Sequence, residues 1–86
     1  MPQFNSHKIL VIDDEVEFCR ILVDFLTCEG FQVESANDGE EGLLKAEKSV
    51  PDLVLLHIRM PKKGGIYFLE NFSRISETPV IAVEVT

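Results

Sequence analysis

The chain has 86 residues, enough for one domain with a small core, and its 45% hydrophobic and 27% charged residues are typical of a globular protein. The net charge of −7 disfavours nucleic acid and anionic membranes as partners, because both present negative phosphates. No apolar run is long enough to cross a bilayer, and the polar N-terminus lacks the features of a signal peptide. We therefore expect one cytoplasmic domain over residues 1–86.

The first predicted elements are a buried strand and an amphipathic helix. Residues 9–12 form a continuous apolar run, which is typical of a strand buried on both faces of a parallel sheet. Asp14 is a candidate N-cap with Glu17 three residues later, and Gly30 should end the helix. The apolar residues at helical spacing are Val16, Cys19, Leu22, Val23 and Leu26.

A second strand at residues 31–36, near a sheet edge, is followed by a turn signal at 37–39. A helix over residues 39–48 should direct Leu43, Leu44 and Ala46 inward. Cys19 and Cys28 both fall on the first helix, roughly 13 Å apart at the helical rise per residue, which is too far for a disulfide. We expect both thiols to be buried in a reducing compartment.

Residues 53–57 form a third apolar strand that ends at His57. A third helix is indicated by the spacing of Ile66, Leu69, Phe72 and Ile75, and Pro79 should break it. Residues 80–85 form a fourth strand. The order βαβαβαβ predicts an α/β fold, with a parallel sheet, right-handed crossovers and helices on both faces.

Polar residues stand where these strands end. Asp13 and Asp14 follow the first strand, His57 ends the third, and Glu84 lies near the end of the fourth. Sites in parallel sheets form beyond the carboxyl ends of the strands, and grouped carboxylates repel one another unless a cation such as Mg²⁺ lies between them. The alternative is that Asp14 only caps a helix and Asp13 is a solvated neighbour. Glycine-rich phosphate loops, nucleophile elbows and zinc-finger spacings are lacking.

Four motifs in order resemble the receiver domain of two-component response regulators, in register over nearly all of the chain. They are ILVIDDE at 9–15, NDGEEGL at 37–43, PDLVLLHIRMP at 51–61 and TPVI at 78–81. The resemblance implies a flavodoxin-like sheet of five parallel strands in the order 2-1-3-4-5. For this chain we expect the order 2-1-3-4, without the last helix-strand-helix segment, so that the domain is incomplete at its C-terminus.

The resemblance also implies roles for site residues. Asp13 and Asp14 match the acidic pair that holds Mg²⁺, and the backbone carbonyl of Arg59 matches the third metal ligand. The phosphoacceptor aspartate is replaced by His57, and the switch threonine or serine is replaced by Glu84. The segment that would carry the family's lysine lies beyond Thr86.

These replacements have chemical consequences. An imidazole at His57 cannot form an acyl phosphate, and it removes an anionic ligand, which should weaken Mg²⁺ binding. Imidazole suits Zn²⁺, Ni²⁺ or Cu²⁺ better. Glu84 would repel a phosphoryl group. For His57 several interpretations stay open: a structural residue hydrogen-bonded to nearby acids, a transition-metal ligand, a phosphohistidine acceptor, or a substitution in an otherwise ordinary active receiver.

We therefore predict a receiver-like module of two-component phosphorelay signal transduction, not an enzyme. It would act by contact with a sensor histidine kinase or another signalling protein and would not be phosphorylated on aspartate. The alternative function is a small transition-metal-binding domain that uses Asp13, Asp14 and His57. The predicted strand 80–85 begins with apolar residues and would lie unpaired at the edge of the sheet. Such an edge can pair with another chain, which predicts a homodimer or swapped oligomer. The alternative is a fragment of a longer protein whose remainder covers that edge.

Overall fold

The computed structural model describes residues 7–58, 60 and 64–83. Strands and helices alternate along these residues as β1 (Lys8–Ile12), α1 (Val16–Cys28), β2 (Gln32–Ala36), α2 (Gly39–Lys48), β3 (Leu53–His57), α3 (Gly65–Phe72) and β4 (Val80–Val83). The strands form one parallel sheet in the order β2-β1-β3-β4. This confirms the predicted flavodoxin-like topology. Residues 84 and 85 of the predicted fourth strand lie outside the described residues.

The central strand β1 is buried on both faces, and this is why its sequence is an uninterrupted apolar run. Ile9 and Val11 pack on the α1 side of the sheet together with Cys19. The opposite side carries the larger cluster, under α2 and α3. Its buried members are Leu10, Ile12, Ala36, Ala46, Val54, Leu56, Phe68 and Phe72.

The start of α1 differs from the prediction. Glu15 occupies the N-cap position and makes no side-chain capping hydrogen bond, so the prediction that Asp14 caps this helix is wrong. The carboxylate of Asp14 lies beside His57 instead, with 3.3 Å between its Oδ1 and the ring Nδ1. The predicted end of the helix is confirmed, because α1 stops at Cys28 and Gly30 takes a positive φ of 100°.

The inward faces of the two other helices are only partly as predicted. Ala46 of α2 is buried, whereas Leu44 is exposed. In α3 the buried residues are Phe68 and Phe72, whose rings stack with centroids 4.9 Å apart. The predicted face of Ile66, Leu69, Phe72 and Ile75 is therefore wrong except at Phe72. Phenylalanine side chains bury large apolar areas, so the i, i+4 pair Phe68 and Phe72 turns α3 with this face toward the sheet. No described helix is long and apolar enough to cross a membrane.

The two cysteines lie in different environments. Cys19 is buried between α1 and the sheet, as predicted, but Cys28 at the end of α1 is exposed, so the prediction for that thiol is wrong. Burial raises the pKa of the Cys19 thiol, and the carboxylates of Asp13 and Glu41 act in the same direction, while a hydrogen bond with Ser35 opposes them.

We expect thiol reagents to modify Cys28 rapidly and Cys19 only after unfolding.

Because the Cys19 pKa is higher in the folded state, the folded protein keeps this proton when the unfolded chain has lost it. The contribution to stability is full below the unfolded pKa and is lost as the pH rises through the folded pKa. Denaturant unfolding at increasing alkaline pH should therefore show a steeper loss of stability for the wild type than for Cys19→Ala; equal slopes would contradict this assignment.

Candidate functional site

The candidate site is built by the adjacency of β1 and β3. These strands are parallel neighbours, and Ile12 pairs with Leu56 at the carboxyl end of both. The next residues are Asp13, directly after β1, and His57, the last residue of β3. They must therefore lie at the same edge of the sheet. This is the edge at which sites of parallel sheets form.

Asp13, Asp14 and His57 converge at this edge. The Nδ1 atom of His57 lies 3.3 Å from Oδ1 of Asp13 and 3.3 Å from Oδ1 of Asp14. The side chains of Asp13 and His57 are only 7% and 16% exposed, and that of Asp14 is 32% exposed. The predicted metal-ligand carbonyl of Arg59 and the predicted switch residue Glu84 lie outside the described residues, so their roles stay predictions.

Asp13 is held in place mainly by backbone groups. Its N–H donates to the carbonyl of Ala36 at 3.0 Å, and its own carbonyl accepts from Nδ2 of Asn37 at 3.0 Å. Its side-chain Oδ1 accepts from the N–H of Glu15 at 2.9 Å. The role of Asn37 is not evident from its place in a turn signal. The usable signal is its position directly after β2, the strand that pairs with β1 on the other side.

The start of α2 fixes Asn37. Its backbone N–H donates to Oε1 of Glu41 at 2.9 Å, and Oδ1 of Asp38 accepts from the Glu41 N–H at 2.7 Å, so that side chains at both ends of the turn cap the helix. Lys45 lies 3.4 Å from the Glu41 carboxylate and donates to the Ser35 carbonyl at 2.7 Å. The support of Asp13 therefore extends into α2.

The end of β3 is fixed by a close approach of α3. A Cβ atom added to Gly65 would lie 2.7 Å from both Cα and O of Ile58 and 2.9 Å from the carbonyl oxygen of His57. Only glycine allows the helix to start this close to the strand end. A cavity of about 210 Å³ opens beside the cluster, lined by Asp13, Glu15, Phe18 and His57.

The chemistry available here is that of two carboxylates and one imidazole. An N–H at Nδ1 of His57 can be shared by both aspartates, which relieves the repulsion between their charges. The ligand atoms of the three residues all lie within 4.8 Å of one another, so the group could also hold a metal ion. A phosphoryl group cannot form an acyl phosphate on an imidazole.

A four-stranded parallel sheet in this order, with an acidic pair directly after β1 and facing the end of β3, has the architecture of a receiver-type signalling domain. A family model described as the response regulator receiver domain matches residues 9–86. The chain belongs to this family of two-component signalling domains, which confirms the resemblance of its motifs. Receiver domains are in general signalling modules and not enzymes.

A curated relative and two solved structures are similar to this chain. The chain is 45% identical over 75 residues to the transcriptional regulatory protein CpxR of Klebsiella pneumoniae, covering 87% of this chain but only 32% of that protein. A CheX–CheY–BeF3–Mg²⁺ complex from Borrelia burgdorferi matches with 33% identity and a TM-score of 0.85, over 94% of this chain and 63% of that one. The response regulator TrrA of Thermotoga maritima, solved with Mg²⁺ and BeF, matches with 30% identity and a TM-score of 0.86, over 94% of this chain and 71% of that one.

Proposed function

We propose that residues 1–86 act as a single receiver-like module in the cytoplasm that signals by protein–protein contact, without catalysis and without forming a phosphoaspartate at position 57. Its partner would be a sensor histidine kinase or another signalling protein. The single observation that supports this most is the imidazole of His57 at the end of β3, 3.3 Å from each carboxylate of the acidic pair.

Two features of this position argue against phosphoryl transfer. Phosphorylation on aspartate needs a carboxylate oxygen as nucleophile, and among the described residues the carboxylates beside position 57 are Asp13 and Asp14. Asp13 is nearly buried and its Oδ1 already accepts the N–H of Glu15, so this oxygen is poorly placed to attack a donor. Nδ1 of His57 and Oδ1 of Asp14 lie 3.3 Å apart, so these two atoms already contact each other and are also poorly placed to attack a donor.

Incubation with acetyl phosphate and Mg²⁺ should therefore leave the chain unmodified. Intact-mass spectrometry at neutral pH would detect both phosphoaspartate and phosphohistidine, because neither is exposed to acid before the measurement. A catalytically competent receiver domain in the same tube serves as the positive control. A phosphorylated species that disappears in His57→Gln would show a phosphohistidine receiver and would contradict the proposal.

The relation to Mg²⁺ follows from the same residue. Solved neighbours of this fold contain Mg²⁺, and Asp13 with Asp14 supplies two carboxylates of the kind that this ion prefers. A histidine in place of a third carboxylate removes a negative charge from the site. We therefore propose that this chain binds Mg²⁺ only weakly.

The partner surface we propose for a second copy of the chain is the β4 edge. Val80–Val83 is one of the two outer strands of the described sheet and carries no charged residue. Its Ile81 is 51% exposed and pairs with Leu55 of β3 on the less covered side of the sheet. Unpaired backbone groups and exposed apolar side chains on one strand favour pairing with the same strand of another copy.

The 86-residue chain should accordingly elute as a dimer or larger species in size-exclusion chromatography with light scattering. Ile81→Lys should shift it toward the monomer, because a charge at an edge strand opposes pairing. Ile66→Lys is the matched control, since Ile66 is a similarly exposed isoleucine on α3, 56% exposed. A wild-type chain that stays monomeric at high concentration would show that a second copy does not cover this edge.

A further inference from the structure

The donor set at the sheet edge differs in kind from the one that Mg²⁺ prefers. Asp13 and Asp14 offer carboxylate oxygens, but His57 offers a ring nitrogen. Mg²⁺ takes oxygen ligands in an octahedral arrangement, whereas imidazole suits Zn²⁺, Cu²⁺, Fe²⁺ and Ni²⁺. The residues therefore fit Mg²⁺ at two positions and fit a transition-metal ion at all three.

Two of the three distances between ligand atoms are compatible with such an ion. Nδ1 of His57 is 3.3 Å from one oxygen of each aspartate. When metal–ligand bonds are about 2.0–2.1 Å long, two ligands of a tetrahedral ion lie about 3.3–3.4 Å apart. The nitrogen can face the ion with its lone pair once the ring proton is on Nε2. The ligand atoms of all three residues lie within 4.8 Å of one another, so the side chains would have to move together to surround one ion.

Two further features of the structure favour binding at this position. Three hydrogen bonds, from Glu15, Asn37 and to Ala36, fix Asp13 in the absence of any ion, so one ligand is already in place. The cavity of about 210 Å³ beside the cluster gives room for the water molecules that would complete the coordination.

We propose that Asp13, Asp14 and His57 form a binding site for a transition-metal dication of the Zn²⁺, Ni²⁺ and Co²⁺ class, with Mg²⁺ disfavoured. The replacement of a carboxylate by an imidazole at position 57 changes which metal ions this site prefers. It does not merely weaken metal binding. The inference concerns the same residues as the proposed function but does not require it, because a module that signals by contact needs no metal.

Isothermal titration calorimetry of the 86-residue chain with NiCl₂, ZnCl₂ and MgCl₂ tests the proposal, with the visible absorption of Co²⁺ as a second readout of nitrogen and oxygen coordination. We expect one site whose affinity for Ni²⁺ and Zn²⁺ exceeds that for Mg²⁺ by at least about tenfold. His57→Gln should lose that preference, and Asp14→Asn should weaken the binding of all the ions. His57→Asp should shift the preference toward Mg²⁺.

Two control variants remove competing ligands elsewhere. His7→Gln removes the other histidine of the chain, which precedes β1 at the opposite end of the strand from the cluster, and Cys28→Ser removes the exposed thiol. Neither should change the site's affinities. Retention of tight Ni²⁺ binding in folded His57→Gln, or equal binding of Mg²⁺ and Ni²⁺ by the wild type, overturns the inference. Neither result contradicts the proposed function, because the acetyl phosphate experiment tests that function separately.

Discussion

Replacement of Phe68 by alanine is expected to lower the free energy of unfolding by about 3–5 kcal/mol. The side chain is fully buried under α3, where it stacks on Phe72 and packs in the larger core cluster. Its removal would take away most of an aromatic side chain's burial and leave a cavity that the sheet cannot fill. A domain of this length has a total stability of about 4–13 kcal/mol, so the substitution would remove between about a quarter and all of it.

Urea unfolding followed by far-ultraviolet circular dichroism measures this effect. Ile66→Ala, in the same helix but at an exposed position, is the control and should change the stability by no more than about 0.5 kcal/mol. If Phe68→Ala does not fold at all, Phe68→Leu should give a measurable partial loss. A larger loss for Ile66→Ala than for Phe68→Leu would mean that α3 packs through its other face.

The second large effect is expected at the candidate site. His57→Asp should lower the free energy of unfolding by about 1–3 kcal/mol in buffer that contains a metal chelator. The substitution places a third carboxylate against Asp13 and Asp14 and removes the ring nitrogen that lies 3.3 Å from both. Because Asp13 is nearly buried, water screens this repulsion poorly.

Mg²⁺ should restore the stability of His57→Asp, because three carboxylates supply the oxygen ligands that this ion prefers and binding to the folded state stabilises it by mass action. Thermal unfolding with increasing MgCl₂ is the measurement. His7→Asp adds the same charge at an exposed position and should respond little to Mg²⁺. An equal response of the two variants would show that Mg²⁺ acts by general charge screening and not by binding to the carboxylates beside position 57.

The element order and the position of the candidate site could be predicted well from the sequence. The apolar run at residues 9–12 and the strand that ends at His57 are local patterns, and burial on both faces of a parallel sheet produces such runs directly. Once β1 and β3 are parallel neighbours, their carboxyl ends must coincide, so Asp13 and His57 meet without any further information. The family resemblance supplied the strand order, which local patterns alone do not contain.

The errors arose where a local preference competes with contacts across the fold. Asp14 is a good N-cap residue in isolation, but its carboxylate lies next to His57, which is distant in sequence. On α3, aliphatic and aromatic residues offer two possible inward faces, and the stacking of Phe68 on Phe72 against the sheet selects one of them. Both outcomes depend on contacts across the fold, so the spacing of residues along one helix could not reveal them.

By itself the sequence determined which residues stand at the strand ends, because hydrophobic periodicity fixes where each strand stops. Only the tertiary structure decided how those residues are held: the two equal distances from His57 to the acidic pair, and the hydrogen bond from Asn37 that fixes Asp13. Such distances are set by the pairing of three strands and the close approach of α3 at Gly65. The physical reason is that periodicity reports burial along one element, whereas ligand geometry depends on the relative placement of several.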